Sequence, residues 1–106
     1  MNEADFDARA NATLERVERA LEASGIDADF DLKEGGVLEI EFANGTKVIV
    51  NRHAAAREIW VAARSGGFHF AWDGAAWRDT RDGGELFAAL SRLVSAQSGT
   101  GVILSG

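Results

Sequence analysis

The sequence has no cysteine among its 106 residues. That removes disulfides, zinc–thiolate sites, cysteine-ligated clusters and thiol nucleophiles at once. It also lacks any apolar run near the roughly 18 residues of a membrane span, and its first residues, MNEADFDARA, have no signal-peptide character, so the expected compartment is the cytoplasm. Positive charge is scarce: 11 Lys and Arg against 17 Asp and Glu leave a net charge of −6, which argues against nucleic acid as the main ligand. No EF-hand loop, no Glu-x-x-His pair of a buried di-iron bundle and no nucleophile elbow is present. The glycine pairs at 35–36, 66–67 and 83–84 read as turns, and none matches a phosphate loop. The length predicts a single domain, too small for a pair of cofactor-binding lobes.

What remains is ordinary globular composition, 46% hydrophobic and 26% charged, with the charge unevenly spread. Residues 1–41 carry a net −8 and residues 42–106 a net +2. Along the first segment, Phe6, Ala10, Thr13, Leu14, Val17 and Leu21 recur at helical spacing and predict an amphipathic helix over 3–23, stopped at Gly25. The period then changes to two. Strands are predicted over 27–32, 37–42, 47–51, 58–63 and 68–72, with a short one around Trp77. Asn44-Gly45 is a hairpin signal. Asp82 or a neighbour is the expected cap of a second helix bearing Leu86, Phe87, Leu90, Leu93 and Val94. Such closely spaced strands must pair antiparallel, with two terminal helices on one face of a five- to six-stranded sheet. The fold class is α+β, one domain over 1–97 followed by a tail, 98–106.

Acids on the helix admit an unremarkable reading: a solvated flank bearing Asp7, Glu15, Glu18 and Glu22, supported by the i,i+4 pairs Asp5–Arg9 and Glu15–Arg19. The first strand is harder to explain by solvation. Asp27, Asp29 and Asp31 share one face at about 7 Å intervals, although aspartate is a poor strand former and like charges in register repel. Stability sacrificed on one patch points to a cationic ligand or a basic partner. Exposed carboxylates are hard ligands for Fe, Mn, Mg or Ca, and their type does not choose among these. By parity Ile59, Val61, Phe68, Phe70 and Trp72 face the core, whereas Trp60 faces outward near Ile49, Asn51, Ala62 and His69. Trp60 on an uncovered face is a candidate binding anchor. His53 and His69 have no evident carboxylate partner and read as surface residues.

Three blocks, Asn44-Gly45-Thr46-Lys47-Val48-Ile49-Val50-Asn51-Arg52, Glu58-Ile59-Trp60-Val61-Ala62 and Gly66-Gly67-Phe68-His69-Phe70, resemble the bacterial frataxins. The likeness extends over residues 1–97. It implies a helix–sheet–helix sandwich and a non-enzymatic accessory of iron–sulfur cluster assembly. Such a protein binds ferrous or ferric iron weakly at its surface, with other divalent cations able to substitute, and meets the cysteine desulfurase and the scaffold protein. Carried over by position, the metal ridge is Glu15, Glu18, Glu22, Asp27, Asp29 and Asp31, and the partner contacts are Glu18, Glu22, Asp29, Asp31, Asn51, Arg52 and Trp60. Ala23-Ser24-Gly25 stands where relatives often carry further acids, which argues against high iron stoichiometry. Val102-Ile103-Leu104 has no counterpart in short bacterial members; longer members use such a tail to pack between the helices, and packing on the domain is expected here too. A monomer is expected, with metal-dependent oligomerisation as the alternative. Two rival functions are a ferroxidase, which needs a defined di-iron site, and a docking module without metal.

Overall fold

The computed structural model describes residues 1–106. Helix α1 (Glu3–Ser24) is followed by β1 (Ala28–Lys33), β2 (Val37–Phe42), β3 (Lys47–His53), β4 (Glu58–Ala63), β5 (Gly66–Trp72) and β6 (Trp77–Asp79), and helix α2 (Leu86–Ser98) closes the order. The six strands form one antiparallel meander in sequence order, so β1 and β6 are the edges. Alternation along each strand sends Leu38, Ile40, Val48, Val50, Ile59, Val61 and Phe70 to one buried face, which the helices cover. No helix is long and apolar enough to cross a membrane.

Helix α1 begins where the Asn2 side chain accepts from the Asp5 N–H and ends at Gly25, whose φ of 70° suits a residue without a Cβ. Its buried stripe is the expected one and packs across β1, β2 and β3. The polar member, Thr13, accepts from the buried Trp77 Nε1 at 2.9 Å and donates to the Arg9 carbonyl at 2.8 Å. Helix α2 is capped by Glu85, whose carboxylate accepts from Phe87 and Ala88 N–H. Asp82 instead holds the preceding turn by accepting from Gly84 N–H. Buried Gln97 ties α2 to two hairpin turns: it donates to the Lys47 carbonyl at 2.7 Å and accepts from Arg64 N–H at 3.0 Å.

The tail is gripped by two serines of α2. Ser95 Oγ exchanges hydrogen bonds with both backbone groups of Val102, and Ser91 Oγ does the same with Leu104. Leu104 is buried in the main core whereas Ile103 points to solvent. The packed unit therefore runs past the end of α2. Residues 54–57 form a turn, with Arg57 in the left-handed region at φ 53°.

Candidate functional site

The six candidate metal carboxylates divide between two layers. Glu15, Glu18 and Glu22 lie along α1, Glu18 half-buried and the other two exposed. Asp29 and Asp31 alternate with Ala28, Phe30 and Leu32 on β1, so they point away from the helix layer onto the uncovered sheet face. Asp27 immediately precedes the strand. The acids thus wrap around the edge strand. They do not form a flat patch, and no group of three His, Asp or Glu side chains converges into a metal-sized cage.

Register adds two acids that the linear pattern leaves out. Asp29 stands opposite Glu41 and Asp31 opposite Glu39, giving four carboxylates at one corner of the open face. Like charges directly opposite one another are destabilising. Glu39 is relieved of this by Lys47 Nζ at 3.0 Å and Lys33 Nζ at 3.1 Å. Hydrogen bonds from Lys47 and then Lys33 hold its carboxyl below the ordinary carboxylate value. The same contact raises Lys47, with the fields of Glu39 and Glu41 adding to the shift. None of the six ridge carboxylates has such a partner: ion pairs go to Glu39, Asp7, Glu58, Asp73 and Asp79 instead.

Two expectations about basic residues fail. The pairs Asp5–Arg9 and Glu15–Arg19 do not form; Arg9 lies over the Trp72 ring at 4.2 Å, where stacking takes the place of an i,i+4 contact. Arg52, grouped with Asn51 among the expected partner contacts, does not share a face with it either. Both sit on the central strand β3, and successive residues there face opposite ways. Arg52 is on the helix side, donating to Asn11 Oδ1 at 2.8 Å and lying 3.9 Å from Asp7. Its stem fills the space above Gly36, where a Cβ would come within 2.6 Å of Arg52 Cγ and Cδ. Arg52 thereby neutralises the N-terminal part of the acidic flank of α1.

Asn51 does face the open side, directly opposite Trp60. Trp60 is sandwiched there between two imidazoles. His53 stacks at 3.7 Å and 8°, and His69, directly across the β4–β5 register, at 4.4 Å and 10°. Glu58 Oε1 accepts from Trp60 Nε1 at 2.9 Å and lies 3.9 Å from His69 Nδ1. His53 Nδ1 accepts from Ala56 N–H at 3.3 Å, which leaves Nε2 as the proton-bearing nitrogen of the neutral ring. The histidines are therefore not isolated surface residues, and His69 does have a carboxylate neighbour. Both faces of Trp60 are covered, so an approaching partner meets the edges of a three-ring slab. Cross-strand position was the available signal: His69 and Trp60 share outward parity on neighbouring strands, and the two-residue Arg64-Ser65 turn sets which residues stand opposite, Gly66 and Gly67 belonging to β5 and not to the turn.

A two-helix, six-stranded meander with unpaired acids on its first helix and edge strand is the sandwich of the frataxins. The frataxin of Psychromonas ingrahamii, of the CyaY protein family, has the same fold at a TM-score of 0.91, with 33% identity over 100% of both chains. The Frataxin-like domain matches residues 1–100. Similar full-length sequences include the iron-sulfur cluster assembly protein CyaY of Dechloromonas aromatica, 59% identical over 98% of this chain and 99% of that one. Another is the protein of the same name from Cupriavidus necator, 50% identical over 98% and 96%. The chain belongs to the frataxin-like, CyaY family.

Proposed function

We propose that this protein is a non-enzymatic accessory of iron–sulfur cluster assembly that captures iron on its acidic ridge and docks on the complex of cysteine desulfurase and scaffold protein. The names of its relatives support the pathway. The observation that carries the iron reading is the set of six unpaired carboxylates, Glu15, Glu18, Glu22, Asp27, Asp29 and Asp31, beside a neutralised Glu39 on the same sheet. Hard oxygen donors left without a cation are suited to ferrous or ferric iron, and without a cage they bind it weakly and exchangeably. Glu41 joins the ridge through its position opposite Asp29. A catalysed oxidation needs converging ligands, so the scattered donors favour capture over ferroxidase chemistry.

Docking uses the same charge. The ridge residues Glu18, Glu22, Asp29 and Asp31 steer a basic partner surface, while the slab around Trp60, with Asn51 beside it, supplies the apolar anchor. Arg52 acts from beneath, by holding the β1–β2 turn and α1 together. Iron bound on the ridge reduces its negative potential and so couples metal loading to docking. Calorimetric titration into the purified desulfurase tests this reading. Binding that weakens with salt, and weakens further when Asp29 and Asp31 are changed to Asn, is expected; salt-independent binding unaffected by those changes would overturn it.

A further inference from the structure

We propose a second site on the opposite flank of α1: a trough that binds a small molecule bearing two or more anionic groups, of the oligophosphate or polycarboxylate class. Two arginines of the trough, Arg9 and Arg16, are held by aromatic rings instead of acids. The Arg9 guanidinium lies 4.2 Å from the Trp72 ring centre and that of Arg16 lies 5.8 Å from Phe87. Neither takes part in an ion pair; the structure's arginine–carboxylate contacts belong to Arg52, Arg78 and Arg81. A guanidinium positioned by a ring keeps its in-plane N–H donors uncommitted, whereas one held by a carboxylate has spent them.

The position of Trp72 is itself fixed. It packs edge-on against buried Trp77 at 5.4 Å, and Trp77 is anchored by its hydrogen bond to Thr13. Ala12, between the two arginines along the helix, and Ala8, just before Arg9, form a low floor, and the whole makes an open trough of about 610 Å³. That size is within the range of small-molecule sites. Arg9 and Arg16 are seven residues apart, a helical rise of about 10 Å, so one compact ligand reaches both only if it carries separated charges. Asp5, with Met1, closes one end. A carboxylate there disfavours a long polyanion running out of the trough, which separates this site from a nucleic-acid groove. The overall charge of −6 disfavours non-specific binding of such ligands.

The three tryptophans provide the test, because Trp72 lines the trough while Trp60 is on the open sheet and Trp77 is in the core. The metal-free, nitrogen-labelled full chain is titrated with tripolyphosphate and, separately, with citrate, against sodium chloride at matched ionic strength. A saturable shift of the Trp72 indole N–H, with the Trp60 indole unmoved, is expected with one or both probes, and which probe acts identifies the class. Arg16→Gln is expected to weaken it by about tenfold, while Arg19→Gln, outside the trough, leaves it unchanged. Arg9→Gln serves as a second variant, and the wild-type titration stands by itself if either fails to fold. No saturable Trp72 shift, a shift reproduced by chloride, or equal binding by Arg16→Gln would overturn the proposal.

Discussion

Asp31 and Glu39 stand directly opposite one another on β1 and β2, yet only Glu39 is neutralised, by a lysine on each side. The same contrast holds across the open face. At the ridge, Asp29 and Asp31 face Glu41 and Glu39 and have no ion-pair partner of their own, whereas at the slab His53, Trp60, His69 and Glu58 satisfy each other. Lys47 stands directly opposite Glu41 in the β2–β3 register, but its ammonium donates to Glu39. Charge compensation is thus available on this sheet and is withheld from the carboxylates proposed to meet iron. One region is finished internally and offers a rigid edge; the other is left for something external to complete.

The largest effect should come from breaking the slab. Trp60→Ala is expected to lower affinity for the desulfurase–scaffold complex by at least about 2 kcal/mol, as truncation of an aromatic anchor does. Stability should fall by only about 1 kcal/mol, because the ring is half-exposed and loses two stacking partners. Calorimetry and denaturant unfolding separate the two. A large loss of stability with binding unchanged in the fraction still folded would mean the slab is structural.

Neutralising the ridge should do the reverse. Changing Asp27, Asp29 and Asp31 together to Asn is expected to raise the melting temperature by about 2–5 °C in metal-free, low-salt buffer, and to weaken iron binding. The gain should shrink in high salt. An unchanged or lower melting temperature would remove the argument that the ridge is electrostatically strained.

A smaller effect, of opposite sign, is expected at the neutralised corner. Glu39→Gln should destabilise the protein at neutral pH. Because the folded carboxyl titrates below its ordinary 4.5, its contribution is present above that value and is lost as the pH falls through the lowered folded one. The gap between wild type and Glu39→Gln should therefore close in acid. At the alkaline end, Lys47 titrates above its ordinary 10.5, so its contribution is present below that value and is lost as the pH rises through the raised folded one. Unfolding curves across pH check both; a gap that is constant in acid would contradict the clamp. The smallest change should follow His69→Phe, which keeps the stack: partner affinity is expected to stay within about twofold, whereas His69→Ala lowers it further.

The elements themselves were legible in the chain because each depends on local periodicity. The strand over Glu58–Ala63 and the Asn44-Gly45 turn need only parity and one glycine at positive φ. Contacts that depend on register or on competition were not legible. The His53–Trp60–His69 slab joins three strands, and Glu39 and Glu41 enter the ridge corner only through their pairing with β1. Arg9 had an acid at helical spacing and an aromatic ring from β5 as alternatives, and only the folded chain brings the ring within reach. The second helix starts later than Asp82 because that side chain is used by its own turn, leaving Glu85 as the cap.

The central claim is that the unpaired carboxylates meet iron. It is tested most directly by anaerobic titration of nitrogen-labelled protein with ferrous iron, followed by backbone amide NMR. The account predicts selective paramagnetic broadening around Glu15, Glu18, Glu22, Asp27, Asp29, Asp31 and Glu41, with Glu58 and the slab staying sharp. If the ridge signals remain sharp while iron is in clear excess, direct iron binding is wrong for this chain, and the ridge is a docking surface for a basic protein.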